Sequence, residues 1–176
     1  MSSVMKDFVK PVLVLTLICL FISAALAFTN QKTAPIIEEA ELAKAEQARR
    51  DVLPEADDFK LLKLEGLPST VTEVYKAENG AGYVFMLKTK GYGGDIKLIC
   101  GIDSEGRITD TNTLSQSETK GLGSRITQDD FREPFRGEDA SLAGVETISG
   151  ATISSSAYLN AIKDAFTAYE AVKGAE

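Results

Sequence analysis

The sequence predicts an α+β protein: an N-terminal transmembrane helix followed by a single extracytoplasmic domain, in which an antiparallel sheet is packed by helices. Three features support this prediction. A long apolar stretch lies near the N-terminus, the middle region alternates β-prone runs with turn residues, and the C-terminal region repeats apolar residues at helical spacing. Together they indicate one membrane anchor and one compact domain.

The apolar stretch covers residues 11–28. Its length approaches the hydrocarbon thickness of a bilayer, roughly 30 Å, so we expect it to form the transmembrane helix. Lys6 and Lys10 precede it, and positive charges favour the cytoplasmic side. Residues 1–10 are therefore expected in the cytoplasm and the C-terminal domain outside it. A cleaved secretory signal is the alternative, because Ala25-Leu26-Ala27 resembles a small-residue cleavage site.

The segment after the anchor, residues 29–58, is expected to be a juxtamembrane helix or stalk. Residues 34–53 are rich in Ala, Glu, Lys, Gln and Arg, which favour helix, and Pro54 marks the expected end. The remaining residues, 59–176, are expected to form the domain.

The middle of the domain predicts successive antiparallel strands. Residues 71–76 and 83–89 are β-prone, and Asn79-Gly80 between them is a strong turn signal. Residues 96–102 and 107–114 form a second such pair around a Gly-containing turn.

The last predicted element is a helix over residues 154–172. Its apolar residues recur every three or four positions, which predicts a buried helix face. These residues are Tyr158, Ala161, Ile162, Ala165, Phe166, Tyr169 and Val172.

Composition excludes several kinds of chemistry. The chain has 176 residues, a net charge of −7, no histidine and two cysteines, Cys19 and Cys100. The charge and the lack of a basic run argue against nucleic acid as a partner. Without histidine there is no imidazole ligand or base, and two thiols cannot hold an iron–sulfur cluster. We predict no metal site and no catalytic side chain, so any redox chemistry requires an organic cofactor.

Ser149-Gly150-Ala151-Thr152 is the most informative motif, just before the predicted last helix. The first amides of a helix lack internal partners and carry partial positive charge, so this position suits a phosphate. The alternative is an ordinary helix cap, because Ser and Thr oxygens accept hydrogen bonds from those amides.

Three earlier segments accompany this motif in a fixed order. They are Gly91-Tyr92-Gly93-Gly94-Asp95-Ile96, Ile102-Asp103-Ser104-Glu105-Gly106-Arg107-Ile108 and Glu118-Thr119-Lys120-Gly121-Leu122-Gly123. With the Ser149–Thr152 motif, the set resembles the FMN-binding domain family found in the G subunit of Rnf complexes and the C subunit of Na⁺-translocating NADH:quinone reductases. The resemblance runs from about residue 82 to residue 166, and it is much more specific than any single motif.

The resemblance implies a covalent FMN, attached through a phosphoester bond to Thr152. It also implies a cofactor site drawn from the four motifs. The expected cofactor-binding residues are Thr152, Ser149, Gly150, Ala151, Glu118, Thr119, Gly121, Leu122, Gly123, Gly93 and Gly94.

Two residues depart from the family pattern. Lys120 occupies a position that is usually Pro, which adds a charge and loosens the loop. Glu146 occupies a position that is usually Asp, so the carboxylate lies one methylene farther out.

By resemblance the protein is an electron-carrying subunit of a membrane-bound Rnf ion-translocating ferredoxin:NAD⁺ oxidoreductase, incomplete as a catalyst alone. Its implied partners are the other membrane subunits and a flavin transferase that installs FMN. One alternative is a flavoprotein that resembles the C subunit of the quinone reductase. A flavin-binding sensor or accessory domain and an anchored scaffold without flavin are the others.

Overall fold

The computed structural model describes residues 2–174 and divides the chain into two units, residues 1–43 and 44–176. The first helix, α1 (Ser2–Val52), begins in the first unit and ends in the second. Pro11 and Pro35 lie inside it without ending it.

The described residues of the first unit, 2–43, are all helical. Within it lies a stretch that is long and apolar enough to cross a membrane, with a mean hydropathy of 2.7 and no burial inside the protein. The Thr16 hydroxyl donates a 2.8 Å hydrogen bond to the Val12 carbonyl, so one of the few polar groups in this stretch is satisfied within the helix itself. This arrangement suits a hydrocarbon environment, where no water satisfies polar groups.

The second unit contains one five-stranded antiparallel sheet in the order β1-β2-β3-β4-β5. The strands are β1 (Phe59–Leu62), β2 (Val71–Ala77), β3 (Gly82–Lys90), β4 (Asp95–Asp103) and β5 (Ile108–Ser115). Each strand pairs with its sequence neighbour, as expected for short turns between antiparallel strands.

Short helical segments follow the sheet. A 3₁₀ helix (Gly123–Thr127), α2 (Asp129–Arg132) and a second 3₁₀ helix (Glu133–Phe135) precede the long helix α3 (Thr152–Lys173). The predicted α+β class is confirmed, as are the four predicted strands and the last helix. The sequence prediction missed β1 and the short helices, because runs of three to five residues are too brief to show a period.

The two faces of the sheet are covered by different helices. The buried stripe of α3 packs on one face, and the resulting core includes Phe85, Leu98 and Ile108. The last turns of α1, with Ala48 and Val52, pack on the opposite face. Both layers lie in the second unit, so residues from Lys44 onward contribute to its core.

Cys100 lies in β4 and is fully buried, and both cysteines are free. Burial raises the pKa of the Cys100 thiol, and Asp110 adds to the effect. Because the thiolate is the reactive form, we expect Cys100 to resist maleimide at pH 8 in the folded protein and to react after denaturation. Labelling of a Cys19→Ser background would report Cys100 alone. Equal labelling rates before and after denaturation would contradict this packing.

Candidate functional site

The Ser149–Thr152 motif forms the turn into α3. Gly150 has φ +80°, a conformation that favours glycine, and Ala151 is the N-cap residue of the helix. No side chain forms the cap hydrogen bond, and Thr152 is the first helical residue, with an exposed side chain. The helix-cap interpretation of the motif is therefore wrong, and Thr152 is an exposed residue.

The turn is held by a serine that the sequence analysis did not single out. The Ser155 hydroxyl accepts a 3.0 Å hydrogen bond from the Ile148 amide and donates a 2.9 Å bond to the Ala151 carbonyl. Ser155 is fully buried. These two hydrogen bonds from the first turn of α3 hold the backbone on either side of the motif turn, and they leave Thr152 exposed.

Glu118 is the buried polar centre of the site, with 8% of its surface exposed. One carboxylate oxygen accepts a 3.1 Å hydrogen bond from the Gly93 amide, and the other accepts a 2.5 Å bond from the Ser154 hydroxyl. The carboxylate thus joins the loop before β4 to the first turn of α3.

Glycine is required where this loop approaches Glu118 and its neighbour. A Cβ atom on Gly91 would lie 2.1 Å from Glu118 Oε1, and one on Gly93 would lie 2.3 Å from the Ser117 carbonyl oxygen. At Gly94 the nearest atom would be the Ser117 Cβ, at 3.3 Å. The three glycines therefore differ in how tightly they are packed.

The loop formed by residues 118–123 also packs around the Glu118 carboxylate. Gly121 has φ +79° and donates its amide to the Ser124 hydroxyl at 2.9 Å. Gly123 is buried, and a Cβ there would lie 2.7 Å from Glu118 Oε2. Leu122, between the two glycines, keeps 50% of its surface exposed.

These loops and the start of α3 surround a cavity of about 430 Å³. Its size falls in the range of small-molecule sites, roughly 300–1,000 Å³. Its lining residues are Tyr92, Glu118, Thr119, Leu122, Gly123, Gly150, Ala151, Thr152, Ile153 and Ser154. Segments far apart in the sequence therefore meet at one place.

Seven of the predicted site residues line this cavity: Glu118, Thr119, Leu122, Gly123, Gly150, Ala151 and Thr152. Gly93 is not in the cavity lining but donates its amide to Glu118, while Gly94 lies against Ser117. Ser149 lines a second, neighbouring groove of about 360 Å³ together with Glu146 and Arg125. Gly121 contacts Ser124, outside the cavity lining.

Three cavity residues were missing from the predicted set: Tyr92, Ile153 and Ser154. Tyr92 and Ile153 are large apolar side chains that remain 73% and 59% exposed. A signal for both existed, because Tyr92 interrupts a glycine run and Ile153 lies outside the buried stripe of α3. Ser154 gave no such signal, since its role depends on a carboxylate in another segment.

The lining suits a flat aromatic ligand that carries a phosphate. Tyr92, Leu122 and Ile153 offer exposed apolar surface, while the first amides of α3 are free of intrahelical partners. The Thr152 hydroxyl lies at this helix start. The residues present therefore fit the FMN that the resemblance implies, with the phosphate at the helix N-terminus.

Gly93 and Gly94 allow a matched test of this close packing. Gly93→Ala places a methyl group against a backbone oxygen that cannot rotate away, so we expect a loss of about 1–3 kcal/mol in stability. Gly94→Ala meets only a side chain, and its effect should stay within about 0.5 kcal/mol. Thermal unfolding of the two variants measures the difference, and equal midpoints would contradict the close contact at Gly93.

Comparison with known proteins shows the family of this chain. The family described as "FMN-binding domain" matches residues 91–167, which contain every segment that lines the cavity. The G subunit of the ion-translocating oxidoreductase complex of Methanosarcina acetivorans is 31% identical, over 96% of this chain and 98% of that protein.

Two further relatives are similar over most of their length. The G subunit of the proton-translocating ferredoxin:NAD(+) oxidoreductase complex of Clostridium ljungdahlii is 27% identical, over 86% of this chain and 85% of that protein. The G subunit of the Na(+)-translocating ferredoxin:NAD(+) oxidoreductase complex of Acetobacterium woodii is 28% identical, over 90% and 89%. With its motifs, its cavity and these relatives, the chain belongs to the family of G subunits of ion-translocating oxidoreductase complexes.

Proposed function

We propose that this protein is an electron-carrying subunit of an Rnf-type ferredoxin:NAD⁺ oxidoreductase complex, with FMN attached through a phosphoester bond to Thr152. The observation that supports this proposal is that Thr152, an exposed residue at the N-terminus of α3, lines a cavity together with the apolar side chains of Tyr92, Leu122 and Ile153. The names of the relatives favour the Rnf assignment over the quinone-reductase alternative.

In this proposal each part of the site has a separate task. The start of α3 receives the phosphate, because its free amides and dipole favour negative charge. Tyr92, Leu122 and Ile153 contact the ring system and exclude water from part of it. Gly123 lets the chain approach closely, since a side chain there would displace Glu118.

Bound FMN supplies the redox chemistry, since a flavin exchanges electrons singly or in pairs. The protein supplies position and electrostatics, and Thr152 is an attachment residue with no catalytic role. Because the cofactor is bonded to the chain, the domain needs no binding affinity for FMN in order to retain it. This matters for a domain on the outer side of the membrane, where released FMN would be diluted.

The proposed orientation places the N-terminus in the cytoplasm and the domain outside it, since Lys6 and Lys10 precede the apolar stretch. The partners are then the other membrane subunits of the complex. Maturation requires a flavin transferase, of the ApbE type by resemblance, that acts outside the membrane on FAD.

Intact mass and in-gel flavin fluorescence of the denatured full-length chain test the proposal, after coexpression with a flavin transferase. We expect a mass increment equal to FMN and fluorescence that survives denaturation. An unmodified, non-fluorescent chain would refute the covalent carrier, provided that the same transferase preparation modifies a control substrate. Copurification of membrane subunits then tests membership of the complex, and their absence would favour an accessory flavoprotein.

A further inference from the structure

Glu118 was expected to bind the cofactor, but its contacts point to another role. Both carboxylate oxygens are already engaged by the protein, one by the Gly93 amide and one by the Ser154 hydroxyl. The Glu118 amide also donates a 2.5 Å hydrogen bond to the Gln116 side chain. The residue is buried and fixed from several directions.

These contacts connect three segments of the cavity wall that belong to different parts of the fold. Gly93 belongs to the loop before β4, Ser154 to the first turn of α3, and Glu118 to the loop after β5. A Cβ on Gly91 or on Gly123 would lie less than 3 Å from the Glu118 carboxylate. The backbone therefore packs closely against this carboxylate at both Gly91 and Gly123.

Among the described residues that line the cavity, Glu118 is the one that carries a charge. The two groups that donate hydrogen bonds to its carboxylate, the Gly93 backbone amide and the Ser154 hydroxyl, are both neutral. Neither of these donors cancels the negative charge of the carboxylate. Glu118 is itself buried, and a charge that water screens little acts strongly on a neighbouring group.

We infer that Glu118 is a positioning residue that fastens the walls of the cavity together and places a fixed negative charge beside the flavin. This inference rests on the proposed FMN site. The charge disfavours added electron density on the ring, so it lowers the reduction potential of the bound flavin. The fastening holds the start of α3, and with it Thr152, in place against the other loops.

Two substitutions separate the fastening from the charge. Glu118→Gln keeps an acceptor for the Gly93 amide and offers a donor to the Ser154 hydroxyl, so it removes the charge alone. Glu118→Ala removes both. Glu105→Gln is the matched control, because Glu105 is an exposed carboxylate at the turn that follows the far end of β4.

The full-length chain, coexpressed with the transferase, is measured by intact mass and by reductive titration of the flavin. We expect Glu118→Gln to load FMN as the wild type does, with a more positive midpoint potential. Glu118→Ala should load more slowly, and Glu105→Gln should match the wild type in both respects. An unchanged potential in Glu118→Gln would overturn the role of the charge. Loss of loading in Glu118→Gln equal to that in Glu118→Ala would overturn the fastening.

Amide hydrogen exchange of the unmodified chain tests the fastening without any flavin. We expect faster exchange at Gly93 and across residues 152–155 in Glu118→Ala, with Glu118→Gln close to the wild type. Unchanged exchange in Glu118→Ala would overturn the inference. If the wild type takes up no FMN yet shows this exchange pattern, the proposed cofactor fails while the positioning role stands.

Discussion

Thr152→Ala is expected to abolish covalent FMN completely while leaving the fold intact. The hydroxyl is the only atom through which this residue can form a phosphoester bond, and alanine has no replacement for it. The side chain is exposed and forms no cap hydrogen bond, so the change in stability should stay within about 0.5 kcal/mol. Intact mass, in-gel fluorescence and thermal unfolding of the same preparation measure both effects.

Two controls make this result specific to Thr152. Thr152→Ser keeps a hydroxyl at the same backbone position and should retain part of the modification. Thr147→Ala removes an exposed threonine from the preceding loop, in the neighbouring groove, and should load fully. Flavin that stays bound to Thr152→Ala through denaturation would refute the assignment of the attachment residue.

Phe135→Ala should cause the largest loss of stability among the changes considered. Phe135 is fully buried, with its ring centroid 5.4 Å from that of Phe131 and 5.5 Å from that of Tyr158. Removal of such a ring costs about 3–5 kcal/mol, a large share of the roughly 5–15 kcal/mol that stabilises a typical domain. The thermal midpoint should fall by roughly 6–20 °C.

The effect should reach the site as well, because Phe131 and Phe135 are the buried residues of α2 and of the second 3₁₀ helix, which follow the 3₁₀ helix that begins at Gly123. Thermal unfolding of the full-length chain in detergent is the measurement. Tyr92→Ala is the control, since it also removes an aromatic ring but from a side chain that is 73% exposed. A Phe135→Ala midpoint equal to that of Tyr92→Ala would contradict the described core.

Local patterns in the sequence were sufficient to predict most elements of the fold. The four strands of β2–β5 and the buried face of α3 were predicted because period and turn chemistry depend on neighbouring residues only. Asn79-Gly80 illustrates this, since Gly80 has φ +76° in the turn between β2 and β3. The Ser149–Thr152 motif could also be recognised in the sequence, because its four residues are contiguous.

The assembly of the cavity depends on the packing of distant segments. Tyr92, Glu118 and Ser154 are separated by long stretches of chain, and their meeting requires that β4, β5 and α3 pack together. The hydrogen bonds that hold the turn before Thr152 likewise come from Ser155, a buried residue outside the motif.

Propensity, period and composition are local properties, so the sequence alone was sufficient to predict the longer elements, β2–β5 and α3, and to show which side chains are available for chemistry. The engagement of the Glu118 carboxylate by Gly93 and Ser154 became visible only in the folded protein. A hydrogen bond between distant segments is set by the three-dimensional positions of its donor and acceptor. No local pattern in the chain encodes that distance.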